Sequence, residues 1–436
     1  MDRIRILYCR SDAKPRIQIS QFMRYLGFYI EDIAENTGKN NKNSLMDIYV
    51  ISDAYVEANS VDLDIENESR AILIYMDGWQ SDQLQDIRSI QYDELNDDGF
   101  LKQLLRHMIS ILSDHSELDG RLIGSVDDPV SLLDSLIDIY VKNEVLQVTL
   151  FARCFYARRD FCKIAQSKYF KFIRNLKQIE EKDGASDLIK YIYIRARYEF
   201  DFICLVNSFS LYYNPRVLEE ECGELLQKYT DNETLRILHA DINYLLNDAW
   251  NKAGYEYSDS HLADCAYAYF RKGQILERYV GDLNKALEAY HAAAQRKKDY
   301  PDVWLCIGNC YDQQMKYMDA LSAYERVLSI LWGSYQRHVL APLEILYLFY
   351  ATRKMAEISA LRFKNYRVAD DYIELADNIR EEAEGIDYFR LMWSDSEAFK
   401  KYYPLIKEEL DDKLEEYKKY FMYGGKRHYE YEWEKN

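Results

Sequence analysis

The chain has 436 residues, and single hydrophobic cores stop growing near ~250–300, so more than one unit or an extended repeat array is expected. Its 48% apolar and 30% charged residues exclude a disordered chain, and only 16 Gly and 6 Pro exclude an all-β sandwich or barrel, which needs a turn every ~8–12 residues. The formal net charge of −18 argues against non-specific nucleic-acid binding, which rests on Lys and Arg neutralising phosphates.

In chain order, Ile4–Cys9 reads as a buried strand and Ile17–Leu26 as an amphipathic helix that Gly27 can end. Further strands are expected at Phe28–Ile33, Met46–Ser52 and Ala71–Met76, with a short fifth at Ile90–Tyr92 and a helix at Phe100–Leu112. Such alternation implies a parallel sheet with helices on both faces. After residue 127 the alternation gives way to successive amphipathic helical runs, reaching about residue 420. The expected organisation is an α/β domain at 1–120, a helical region at 128–260, helix-pair repeats at 261–335 and a helical cap with a tail at 336–436.

The repeat is explicit at two places. Ala286, Leu287, Ala289 and Tyr290 recur as Ala320, Leu321, Ala323 and Tyr324, each 34 residues later. Gly273 recurs as Gly308, one residue out of phase, and an extra residue lies near Gly281–Asp282. Small Gly and Ala let two helices approach, and aromatic rings fill the space beside them. From Pro301 onward, Trp304, Ile307, Gly308, Tyr311, Ala320, Tyr324 and Val327 resemble the tetratricopeptide repeat (TPR). The resemblance implies an all-α helical solenoid whose concave groove binds a protein or peptide. It places Tyr267, Phe270, Gln274 and Glu277, then Asp302, Leu305, Asn309 and Asp312, on that groove.

Two flavodoxin-like families are resembled here, one over roughly residues 3–113 and one over the strand–helix–strand opening alone. Tyr8-Cys9-Arg10-Ser11-Asp12 after the first strand and Ser52-Asp53-Ala54-Tyr55-Val56 after the third are similar to the Toll/interleukin-1 receptor (TIR) family. That family implies an adaptor or effector in signalling or bacterial defence, and some bacterial members cleave NAD+ with a Glu after the third strand. Glu57, Glu66 and Glu68 are the candidates for that Glu, and Tyr8, Arg10, Ser11 and Asp12 would line the NAD pocket. The family's Trp-Cys pair before the Glu is missing, and these acids also suit a solvated face. The same strand–helix–strand opening resembles a two-component receiver, with Asp53 as phosphoacceptor. Arg10 and Ser11 then stand where paired acids would hold Mg²⁺, which implies a pseudo-receiver.

Residues 153–177 carry eight bases and one acid, interleaved with aromatics. The first 120 residues hold 12 bases and 22 acids, a net of −10, so this stretch is expected to dock internally. Cys306 and Cys310 share a helix face with no His nearby and read as buried thiols, with no metal expected. The opening lacks a signal-peptide run and no stretch of ~18 apolar residues occurs. The expectation is therefore a cytoplasmic protein with a protein or peptide partner or self-assembly, and without nucleic-acid or membrane partners.

Overall fold

The computed structural model describes residues 3–9, 13–34, 44–53, 55–56, 68–76, 87–92, 97–118, 120–143, 145, 159–183, 186–206, 211–245, 250–336 and 342–384. The chain divides into two compact units, Met1–Ala263 and Asp264–Asn436.

The first unit opens with β1 (Arg3–Tyr8), α1 (Ala13–Tyr25), β2 (Tyr29–Ala34), β3 (Met46–Ile51), β4 (Ala71–Tyr75), β5 (Arg88–Gln91) and α2 (Asp97–Asp114). All strand pairs are parallel, in the order β2-β1-β3-β4-β5. Every residue of β3 and β4 is buried, as strands covered on both faces require. Among the described residues, the α-helices that follow in this unit are α3 (Pro129–Lys142), α4 (Arg159–Asp183), α5 (Asp187–Val206), α6 (Pro215–Lys228), α7 (Glu233–Leu245) and α8 (Trp250–Glu256).

The apolar reading of β1 needs one addition, because Arg3 and Arg5 are both buried in it. They lie two residues apart and so share a sheet face. Arg5 sits in register with Asp47 of β3 and bonds it through Nε at 2.7 Å and through a second guanidinium nitrogen. Ser44 Oγ donates to the same carboxylate at 2.7 Å. Arg3 pairs with Glu233 at the start of α7 at 3.2 Å.

An aromatic cluster ties the later helices to α1. Tyr25 and Phe22 of α1 meet Tyr140 of α3 edge-on at 5.5 and 4.9 Å, and Tyr25 meets Phe172 of α4 at 6.0 Å. The Tyr25 and Tyr169 hydroxyls lie 3.4 Å apart, and the Arg195 guanidinium stands over the Tyr25 ring at 5.3 Å. Tyr191 of α5 donates to the Arg24 carbonyl at 2.7 Å, and Asn232 donates to the Gly27 carbonyl at 3.0 Å. Gly27 has φ +85, the left-handed conformation its helix-ending role requires. Internal docking of the basic stretch is therefore aromatic within 168–177: Tyr169 and Phe172 are buried, while Lys171, Arg174 and Lys177 face outward.

The second unit contains α9 (Ala266–Ile275), continued by a π-helical turn at Leu276–Val280, then α10 (Leu283–Arg296), α11 (Pro301–Gln313), α12 (Tyr317–Gln336), α13 (Pro342–Leu361) and α14 (Tyr366–Glu384). The π turn takes up the extra residue that puts Gly273 out of phase with Gly308. The two glycines then occupy equivalent places. A Cβ on Gly273 would lie 2.4 Å from the Tyr290 ring, and one on Gly308 2.5 Å from the Tyr324 ring. In both pairs only glycine lets the second helix lay its buried tyrosine flat across the first.

Candidate functional site

In the first unit the chain passes from β1 outward to β2 and then crosses to β3 on the other side. In open α/β sheets, the carboxyl ends of strands flanking such a reversal border a crevice that takes ligands. Here those ends are Tyr8-Cys9 and Ser52-Asp53. Tyr8 is buried, and the Arg16 guanidinium lies 5.0 Å over its ring while pairing with Asp32 at 3.4 Å. Ser52 is buried and accepts from the Tyr55 amide at 3.1 Å, capping the turn that follows. Cys9, Tyr55 and Tyr75 join Ile51 and Leu73 in one apolar cluster, and desolvation raises the Tyr75 phenol above its ordinary range. Asp53 is exposed. Among the described residues, the rim brings together aromatic and thiol side chains with the exposed Asp53.

Of the expected site residues here, Tyr8 lies at this rim. Arg10, Ser11, Asp12, Glu57 and Glu66 fall outside the described residues, and Glu68 opens a short 3₁₀ turn, Glu68–Arg70, just before β4.

In the second unit, the expected groove residues are engaged by neighbouring helices. Asp302 accepts from the Tyr347 hydroxyl of α13. Asn309 Oδ1 accepts from Tyr324 at 2.7 Å and from Tyr350 at 3.4 Å. Asp312 pairs with Lys354 at 3.0 Å, and Leu305 is buried. One helix pair earlier, Glu277 accepts from Tyr290 at 2.6 Å and from Gln313 at 3.4 Å. Gln274 accepts from Arg271 at 2.8 Å. Phe270 packs on Tyr290 and Tyr300, and Tyr267 lies under the Arg271 guanidinium at 5.9 Å. Burial pushes the Tyr290 and Tyr324 phenols well above their ordinary range, which keeps them neutral donors. The polar atoms of Asp302, Asn309 and Asp312 are turned to α12 and α13, those of Glu277 to α10 and α11, and Gln274 and Tyr267 meet Arg271 on their own helix.

Burial also raises the Cys306 and Cys310 thiols, the latter to about 12, so both stay protonated and are poor metal ligands. No group of His, Cys, Asp and Glu suited to a metal occurs among the described residues.

Two polar centres escaped the reading from sequence. His239 bridges Glu256 at 3.1 Å and Glu219 at 3.5 Å between α6, α7 and α8, with Asn243 donating to Glu256 at 3.0 Å. Asp201 on α5 is fully buried and accepts from the Tyr212 and Tyr213 amides at 2.8 and 3.1 Å. Desolvation raises its carboxyl to about 6, against the pull of those amides and of Arg197. A polar residue on an otherwise apolar helix face was the available signal for both.

No model of a known protein family matches this chain, and no curated protein matches it either. No helix among the described residues is long and apolar enough to cross a membrane.

Proposed function

We propose that the chain is a signalling or defence scaffold that works by protein–protein contact. In this reading a TPR-type array recognises a protein or peptide, or self-assembles, and a TIR-like, flavodoxin-like domain is the adaptor or effector. The repeated glycine–tyrosine interlock carries the reading, because it closes each helix pair in the same way, and such pairs are the units that stack into arrays with extended surfaces. The strand order β2-β1-β3-β4-β5 is that of flavodoxin-like sheets and supports the assignment of the first domain. At the rim, the capped Ser52 and the apolar packing of Tyr55 and Tyr75 suit a scaffold better than a reaction centre.

Two further readings keep specific residues. An NAD+ glycohydrolase switched on by oligomerisation would use Glu57, Glu66 or Glu68; a pseudo-receiver regulator would use no phosphoacceptor, and a working receiver would use the exposed Asp53. The deciding experiment combines sedimentation velocity over a concentration series with nicotinamide release from NAD+. Assembly or partner capture without turnover is the expected result. Turnover abolished by one of Glu57→Ala, Glu66→Ala or Glu68→Ala would replace the scaffold with the hydrolase. Acetyl-phosphate labelling lost in Asp53→Asn would replace it with a working receiver.

A further inference from the structure

In the second unit α9, α11 and α13 run parallel. Early residues meet early residues (Asp302 with Tyr347) and late meet late (Asp312 with Lys354, Glu277 with Gln313). The turns that follow these three helices therefore lie at one end of the array. They are also side by side: Gln314 donates to Asn284 at 3.1 Å across the first two, and the Arg362 guanidinium lies 5.0 Å over Tyr317 across the second and third.

Each turn exposes apolar side chains: Val280 in the first, Met315 and Met318 in the second, Leu361 and Phe363 in the third. Each also exposes bases, namely Arg278, then Lys316, then Arg362 and Lys364. Of the acids at this end, Glu277 is bonded to Tyr290 and Gln313, Asp312 pairs with Lys354 at 3.0 Å, Asp282 pairs with Lys285 at 3.1 Å, and Asp319 is exposed.

Backbone geometry adds a second observation. One residue per turn is left-handed: Gly281 (φ +73), Met315 (φ +60) and Lys364 (φ +54). Glycine is the default for such a helix-ending position, and a longer side chain there is strained. Packing does not offset the strain, since Met315 is 74% exposed and Lys364 is exposed as well. These caps fix the turns: the Lys316 and Asn365 amides donate back to the Tyr311 and Ser359 carbonyls at 2.9 Å, which holds the exposed tips at the end of the array.

The occupant follows from shape and charge. A peptide helix or strand needs a groove or a sheet edge, whereas this is a ridge of turn tips. Apolar tips interspersed with Lys and Arg suit the boundary of an anionic bilayer, where the tips enter between headgroups and the bases meet lipid charges. Screening beyond about 8 Å at physiological salt keeps the chain's overall negative charge from overriding this local edge. We infer that the ridge formed by the three turns docks peripherally on an anionic lipid surface. This runs against the expectation of no membrane partner; it is contact, not a span.

The test is co-sedimentation of the full chain with vesicles of phosphatidylcholine alone and of phosphatidylcholine mixed with phosphatidylserine, at low and high salt. Binding is expected on the phosphatidylserine vesicles and release at high salt. The informative variant is Met315→Gly with Lys364→Gly, which relieves both left-handed residues while removing one apolar tip and one charge. Its melting temperature should hold or rise while vesicle partitioning falls at least about fivefold, the worth of one basic side chain near an anionic surface. Absence of binding to phosphatidylserine vesicles overturns the proposal. So does unchanged partitioning in the double variant, or equal salt-insensitive binding to both vesicle types. Retention on an acidic peptide resin without vesicle binding would assign the ridge to a protein partner instead.

Discussion

Gly308→Ala tests the interlock on which the array reading rests. The added Cβ would stand 2.5 Å from Tyr324 Cε1 and 2.8 Å from Cδ1 and Cζ. Carbon atoms rest at about 3.5–4.0 Å, so the ring must retreat by about 1 Å. Retreat is obstructed, because Tyr324 is fully buried and its hydroxyl is bonded to Asn309 at 2.7 Å. Overpacking costs about 1–3 kcal/mol, and a weakened hydrogen bond about 1 kcal/mol. Replacing a mid-helix glycine returns about 1 kcal/mol of helix propensity. The net expectation is a loss of about 1–3 kcal/mol, or about 2–10 °C in the transition that the substitution shifts. Gly223→Ala is the internal control. It lies within α6, and its added Cβ meets only His239 Nε2 at an ordinary 3.7 Å, so propensity should win and stability rise by about 0.5–1 kcal/mol. Thermal unfolding of the full chain by circular dichroism reads both. If Gly308→Ala is as stabilising as Gly223→Ala, the tyrosine is not seated on the glycine and the reasoning fails.

The same logic makes Gly273→Ala destabilising to a similar extent, since its Cβ would stand 2.4 Å from Tyr290; the melting curve checks it. Asp47→Ala strands the buried Arg5 guanidinium and should cost about 3–5 kcal/mol, whereas Arg5→Met combined with Asp47→Leu should be near neutral or stabilising. Equal urea midpoints for the single and the double variant would contradict this. Asp201 sets a pH dependence. Its carboxyl is raised in the fold, so the folded state holds the proton more tightly than the unfolded chain. Stability contributed by this group is full below about pH 4 and lost as pH rises through about 6. Relative to Asp201→Asn, the native protein should lose about 2–3 kcal/mol over that window; parallel urea midpoints from acid to neutral pH would refute it.

Much of the fold was legible because local rules and tertiary demands agree. Of the five strands, β4 is a continuous apolar run and β3 is one interrupted only by Asp47, both buried along their length; β1 and β2 carry charges between their apolar residues, and all four appear within a few residues of their expected bounds. The short β5 is an edge strand with alternating exposure, and only Ile90 of it is deeply buried, which is why Ile90–Tyr92 was a faint signal. The glycine–tyrosine periodicity was visible as spacing. The slip of one residue was visible too, but its accommodation as a π turn was not, since a single extra residue can equally lengthen a loop.

The candidate sites were less legible. The repeat resemblance placed Asp302, Asn309 and Asp312 on one face, but did not say that Tyr347, Tyr350 and Lys354 of a helix some 41–45 residues onward would claim their polar atoms. The exposed turn edge was also out of reach, because Met315 and Phe363 read as ordinary apolar residues until the parallel stacking puts their turns at one end.

The sequence by itself determined the succession of elements and the helix-pair repeat, because apolar period, turn residues and small-against-large packing act over a few to a few tens of residues. Tertiary structure alone decided where the charges inside β1 find partners. Arg5 meets Asp47 across the sheet, and Arg3 meets Glu233 from 230 positions away. A buried guanidinium is tolerable only beside a carboxylate, and no local pattern in a single chain says which distant carboxylate the fold will deliver.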